Sequence, residues 1–306
     1  MYYKINEIYL PPYFSPLNTY LMMNTTLSNA IVSVVINPLG AELISLRSLA
    51  KNKEYIWEGN PTFWGKHSPI LFPIVGTLKN NSFHYNGREY ELLRHGLARS
   101  LNFHLITKSE THCVFSLEAS YETKKAYPFA FELQISYTLI NTTLTIGYKV
   151  INKDRVTIPF SIGAHPAFAL PNAFENYSLQ FNQQETLDCF TLENDLIGNN
   201  TFAIALDNNQ LPLTYSTFEN DALIFKTLQS KEITILENNE PLLKVAFPDF
   251  NNLGLWTKVN APFVCIEPWL GYSDTINASG DLFEKEGIQV VAVNESFECE
   301  FSIEVF

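Results

Sequence analysis

The stretch Phe129-Ala130-Phe131-Glu132-Leu133-Gln134-Ile135-Ser136-Tyr137-Thr138-Leu139 decides the fold class. Its odd positions are apolar and most of its even positions polar, the period of two expected of a strand with one buried face. Asn141-Thr142 then turns the chain. Leu144, Ile146, Tyr148 and Val150 resume the alternation, so the two runs form one long hairpin. The C-terminus repeats the pattern: Phe297, Cys299, Phe301, Ile303 and Val305 face one way, Glu298, Glu300, Ser302 and Glu304 the other.

Outward from that hairpin, shorter strands are predicted over residues 30–36, 42–46, 54–57, 101–106, 113–119, 157–162, 222–225, 232–236, 243–247, 254–256, 263–266 and 289–292. Residues 83–85 and 89–93 flank Asn86-Gly87, a strong short hairpin signal. No stretch keeps a 3.6-residue apolar period beyond two turns. The expectation is an all-β chain with few short helices: a large antiparallel β-sandwich of two curved sheets with a groove on one face. No linker, charge block or repeat divides it, so one domain is expected over residues 23–306. Residues 1–22 read as an N-terminal extension of unknown role, with Met22 or Met23 an alternative start.

Composition narrows the class. Hydrophobic residues are 46% and charged residues 17% of the 306, which supports a large core and excludes a disordered chain. The 23 Phe and 15 Tyr suit β-structure. Lys+Arg number 20 against 32 Asp+Glu, a net charge of −12, with no basic block. Such a chain is poorly suited to nucleic acid. Cys113, Cys189, Cys265 and Cys299 form no CxxC pair and read as reduced, buried thiols. Residues 8–23 are fairly apolar, but Pro11, Pro12 and Pro16 interrupt them, and no run reaches the roughly 18 residues that span a bilayer. No membrane association and a cytoplasmic location are expected. The Asn-x-Ser/Thr triplets at Asn80, Asn141, Asn176, Asn277 and Asn294 arise by chance in an Asn-rich chain.

The chain has no P-loop, GxGxxG, HExxH or GxSxG motif, which disfavours nucleotide cofactors, zinc-protease chemistry and the serine-hydrolase elbow. What remains is polar residues in unusual surroundings. Arg94-His95-Gly96-Leu97-Ala98-Arg99 follows a hairpin strand; it is either a solvated loop or a cationic site. In Gly163-Ala164-His165-Pro166 the histidine has no local partner, and Pro166 holds it extended. It is either a satisfied core histidine or a functional one. In Phe263-Val264-Cys265-Ile266-Glu267-Pro268-Trp269 an acid ends an apolar run. It is either neutralised by a donor or held at a raised pKa for proton transfer. Asp221 stands at a strand start, where Asp often only caps a turn. Phe63-Trp64-Gly65-Lys66-His67 and Phe72-Pro73-Ile74-Val75-Gly76 are aromatic and Pro-rich, suited to core packing or to stacking on a sugar ring.

The order and spacing of Glu54-Tyr55-Ile56-Trp57, Phe72-Pro73-Ile74-Val75-Gly76, Arg94–Arg99, Gly163–Pro166, Asn220-Asp221, Leu253–Thr257 and Pro262–Trp269 resemble the aldose 1-epimerase (galactose mutarotase) family, and within it the LacX-type branch. The resemblance runs from about Ile31 to the C-terminus. It implies a mutarotase-like β-sandwich with a sugar groove. Two histidines that face the ring fall on His95 and His165, and the base falls on Glu267. Sugar binding falls on Asp221, with Arg94, Arg99, Trp269 and His67 as further substrate-binding candidates and Trp64 as a second stacking residue. The family's basic residue after Phe-Pro-x-x-Gly is replaced here by Thr77, with Lys79 two positions on.

Mutarotation needs only proton transfers. A base removes the C1 hydroxyl proton, an acid protonates the ring oxygen, and the open aldehyde rotates and recloses. A carboxylate and a histidine suffice, so neither metal nor organic cofactor is expected. The implied protein is an isomerase acting on a small-molecule hexose, as a monomer or homodimer. Two other readings stay open: a hexose-6-phosphate 1-epimerase using Arg94, Arg99 and Lys66 as its anion site, and a non-catalytic carbohydrate-binding protein.

Overall fold

The computed structural model describes residues 23–306; the expected extension, residues 1–22, lies outside the described residues. The strands Phe131–Ile140 and Thr143–Asn152 pair without a break, Leu133 opposite Val150 and Leu139 opposite Leu144. Asn141 makes the turn with φ at 54°, a conformation Asn adopts with less strain than most residues. The hairpin sits inside a nine-stranded antiparallel sheet. Its order is Gln210–Pro212, Tyr177–Phe181, Glu232–Glu237, Glu240–Ala246, Ser296–Val305, Thr143–Asn152, Phe131–Ile140, His112–Glu118, His104–Lys108.

A second sheet runs Leu223–Phe225, Asn252–Trp256, Phe263–Leu270, Ile162–Ala164, Ile70–Leu71, with Ala167–Ala169 also paired to Phe263–Leu270. A four-stranded sheet holds Thr25–Ser28, Val32–Asn37, Glu42–Ser48 and Lys53–Glu54. One apolar cluster takes side chains from all three, among them Leu133, Ile135, Val34, Leu46, Leu255 and Ile266. Burying each such side chain contributes about 1.5–3 kcal/mol. Between layers, the Phe72 and Phe131 rings lie 5.0 Å apart, and the Tyr137 hydroxyl donates to the Ala41 carbonyl at 2.6 Å. This is the expected antiparallel β-sandwich.

The α-helix Thr123–Ala126 is a single turn, and no helix among the described residues is long and apolar enough to cross a membrane. All four cysteines are free and buried. Three local differences from the sequence reading stand out. The segment expected at 54–57 is the shorter Lys53–Glu54, because the Trp57 amide donates across to the Ala167 carbonyl at 2.9 Å. The segment expected at 101–106 lies at His104–Lys108. The hairpin Leu187–Glu193 and Leu196–Ile204 has no counterpart in the expected strands; a register shift between Phe190 and Leu192 breaks its alternation.

Candidate active site

Strand Phe263–Leu270 is buried along its whole length. Alternation puts Cys265, Glu267 and Trp269 on one face. The neighbouring chain pairs Gly163 with Trp269 and Ala167 with Cys265, so the intervening His165 falls opposite Glu267. Pro166 has no N–H to give the ladder, which separates Ile162–Ala164 from Ala167–Ala169 at this point. The result is a cross-strand pair: His165 Nε2 stands 3.3 Å from Glu267 Oε2.

Arg94–Arg99 reaches the same place from another direction. The amides of Leu97 and Ala98 both donate to the Phe72 carbonyl, at 2.9 and 3.1 Å. His95 and Gly96 take consecutive positive φ values, 66° and 71°. A Cβ on Gly96 would lie 2.3 Å from the Phe72 carbonyl oxygen, so the turn needs glycine there. His95 and Gly76 bond reciprocally. The His95 amide donates to the Gly76 carbonyl at 2.8 Å, and the Gly76 amide donates to His95 Nδ1 at 3.1 Å. Arg94 Nε donates to Nε2 at 3.3 Å, so both ring nitrogens face N–H donors, while its Nη1 pairs with Asp195 at 3.1 Å.

Trp64, Arg94, His95, Arg99, His165, Asp221, Ala222, Trp256, Glu267 and Trp269 line one cavity of about 270 Å³. That is near the lower end of ligand pockets, about 300–1,000 Å³, and suits a small polar ligand. A larger cleft of about 430 Å³ on the nine-stranded sheet, around Lys149, Asp249 and Glu298, has no histidine or tryptophan in its lining. The His165 ring stacks on Trp64 at 4.8 Å and meets the edges of Trp256 and His95 at 5.8 and 5.7 Å. Glu267 is 1% exposed, and its Oε2, like His165 Nδ1 and Trp269 Nε1, has no hydrogen-bond partner among the described residues.

Burial governs the electrostatics. Desolvation pushes the Glu267 carboxyl well above the usual carboxylate range, aided by nearby Asp221 and opposed by Arg94. It pushes His165 down to about 3, with Arg94 and Arg99 adding to the effect. His95 is held well below the ordinary histidine range by burial, then by His165 and the two arginines. Burial therefore favours a protonated Glu267 beside two neutral imidazoles.

Of the sequence candidates, the structure brings His95, His165, Glu267, Asp221, Arg94, Arg99, Trp269 and Trp64 together and leaves His67 and Lys66 out of the lining. His67 donates its amide to Glu42 Oε1 at 2.7 Å, its Nδ1 lies 3.8 Å from the same oxygen, and its ring covers Gly59. Trp269, 3% exposed, forms the floor between Gly163 and Gly254, while the less buried Trp64 and Trp256 form walls. Trp256 and Ala222 are lining residues that were not singled out as sugar contacts. Trp256 lies inside the Leu253–Thr257 motif and Ala222 opens the strand expected at 222–225, and the signal for Trp256 was its aromatic character near Gly254. His165, Cys265 and Glu267 offer donor atoms within 4.8 Å of one another, a mixed set that a thiophilic metal ion would accept.

The aldose 1-epimerase family model matches residues 23–288. The plasmid-encoded protein LacX of Lactococcus lactis subsp. lactis is 33% identical over 284 residues, 88% of this chain and 95% of that protein. Among solved structures, a galactose mutarotase related enzyme from Lactobacillus acidophilus superposes with a TM-score of 0.89 at 33% identity, covering 93% of this chain and 97% of that one. A galactose mutarotase-like protein from Lactobacillus casei gives 0.88 at 28% identity, covering 93% and 100%.

Proposed function

Because the chain belongs to the aldose 1-epimerase family, we propose that it interconverts the α and β anomers of an aldohexose by acid/base opening and closure of the ring. Family membership implies an isomerase acting on carbohydrates. The observation that carries the finer reading is the 3.3 Å approach of Glu267 Oε2 to His165 Nε2 inside a small, polar and aromatic cavity.

The two groups together hold one proton. With the proton on Glu267, both groups are neutral, the state that burial favours. With the proton moved to His165, the same pair becomes a carboxylate and an imidazolium, a base and an acid side by side. A sugar whose C1 hydroxyl faces the carboxylate gives up that proton to Glu267, while His165 protonates the ring oxygen. The hemiacetal C–O bond breaks, C1 becomes an aldehyde carbon, and rotation about C1–C2 presents its other face. The reverse transfers close the ring. His95 and Arg94, 3.3 Å apart at Nε2 and Nε, together support charge on the ring oxygen. Asp221, Arg94 and Arg99 orient hydroxyls, and Trp64 and Trp256 flank the apolar face of the ring. Each proton-transfer group contributes about 10²–10⁴-fold.

Arg94 and Arg99 in the lining favour one second reading, a hexose-6-phosphate 1-epimerase. A single experiment addresses both: NMR anomer exchange on a panel of aldoses beside hexose 6-phosphates. Acceleration for an unphosphorylated aldohexose is expected. Acceleration confined to phosphorylated sugars selects the second reading. Exchange no faster than in buffer for every sugar rejects both.

A further inference from the structure

Lys285 and Asp274 form an ion pair away from the cavity lining, at 2.8 Å, with side chains only 2% and 5% exposed. A buried ion pair is weak evidence for stability, since apolar residues of similar volume often serve as well. This carboxylate does something apolar residues cannot. Its Oδ1 takes Lys285 Nζ, and its Oδ2 accepts the Lys79 amide at 2.9 Å. Lys285 is itself fixed by a second bond, to the Tyr272 carbonyl at 2.5 Å. The adjacent backbone joins in. The Asp274 amide donates to the Thr77 carbonyl at 2.8 Å, and the Thr77 amide donates to Ser273 Oγ at 3.0 Å.

Three bonds thus clip Thr77–Lys79 onto Ser273-Asp274, and the clip ends one residue from Gly76. Contact there is tight: a Cβ on Gly76 would stand 2.2 Å from Ser273 Oγ. Gly76 in turn holds both the amide and Nδ1 of His95.

We infer that Lys285, Asp274 and Ser273 form a positioning unit for His95, holding the Gly76 N–H on Nδ1 and so fixing the orientation of the imidazole in the cavity. The inference rests on the role given above to His95. It identifies three positioning residues that touch no substrate and act through one backbone amide.

The test is the ¹⁵N spectrum of the His95 imidazole together with steady-state kinetics, in Ser273→Ala and Lys285→Met. Ser273→Ala removes the Thr77 acceptor while leaving the ion pair intact, so it reads the clip even where Lys285→Met fails to fold. Wild type is expected to show an Nδ1 resonance shifted by the Gly76 bond. The folded variants should lose that shift and show a fall in kcat of about 10-fold, with KM changed far less, because misplacing a catalytic group by an ångström can cost up to about 10²-fold. An Nδ1 resonance unchanged in folded Ser273→Ala overturns the inference whatever the turnover. A changed resonance with full turnover keeps the clip but removes His95 from the proposed reaction.

Discussion

The Trp269 indole lies over the bare Cα of Gly254: a Cβ at that position would stand 2.6 Å from the indole Cη2. On the other side, a Cβ on Gly163 would stand 2.5 Å from Cδ1. Two glycines on the flanking strands thus let the largest side chain of the sheet lie flat and floor the cavity. Gly254→Ala should destabilise the protein by about 1–3 kcal/mol through overpacking. It should also lower turnover, because Gly254 pairs in register with Glu267. Thermal melting, tryptophan fluorescence and anomer exchange on one sample check this; an unchanged emission spectrum with full activity would count against it.

Glu267→Gln keeps the shape of the side chain and removes the base. Turnover should fall by about 10²-fold or more, with sugar binding affected far less. The same variant should be the more stable protein at neutral pH. The folded state keeps the Glu267 proton to higher pH than the unfolded chain, whose carboxyl titrates near 4.5. Ionisation therefore opposes folding increasingly as pH rises above that value. Melting curves of both proteins should coincide near pH 4 and separate above it, the variant melting higher. A variant that melts lower at neutral pH would make Glu267 a structural acid instead.

His165 has the opposite sign. Its folded value of about 3 lies below the ordinary 6.5, so the unfolded chain binds the proton first. Stability is complete above 6.5 and drains away as pH falls toward about 3. His165→Gln should flatten that part of the stability–pH curve and lower turnover. The kcat/KM profile of wild type should be bell-shaped, and both limbs belong to the pair. The alkaline limb, where the pair's one proton leaves, should lie above the ordinary carboxylate range. The acid limb, where a second proton binds, should lie below the ordinary histidine range.

Arg94 and Asp195 are bonded across an exposed surface, with side chains 41% and 49% exposed. Such a pair is worth at most about 1 kcal/mol. Asp195→Ala should therefore barely move the melting temperature. It should change KM for the sugar several-fold, because Arg94 loses the group that aims it, while kcat stays close to wild type. A kcat effect larger than the KM effect would show that the hairpin acts on the chemistry itself.

The fold was legible where alternation is unbroken. Phe131–Ile140 and Ser296–Val305 announce themselves because the first buries one face throughout and the second from Cys299 to Val305, and Asn86-Gly87 marks its hairpin through left-handed backbone at both residues, φ 48° and 72°. The hairpin over residues 187–204 was not legible. Its outer stretch from Asn199 to Ala203 is exposed at every position, and its bulge breaks the period. In the site, motif order pointed to Glu267, His165 and His95, since each sits in a segment whose apolar or glycine-rich neighbours leave a polar residue unexplained. His67 shows the limit of that reasoning. The family resemblance made it a substrate-binding candidate, but Glu42, 25 positions earlier, draws the His67 backbone to itself. The anchoring of His95 Nδ1 was equally hidden, because the amide that donates to it lies 19 residues away.

The strand that carries Glu267 and Trp269 is hydrogen-bonded to a neighbour on each side. The hairpin bearing Asp195 packs buried Ile197 into the cluster around Trp269 and bonds that residue's amide to the Asp274 carbonyl, while its exposed tip meets Arg94. Amide hydrogen exchange should therefore divide the site into two kinetic classes, slow along Phe263–Leu270 and fast at the Asn194-Asp195 tip. A ligand admitted by fluctuation of that tip would meet a floor that stays formed between successive occupants.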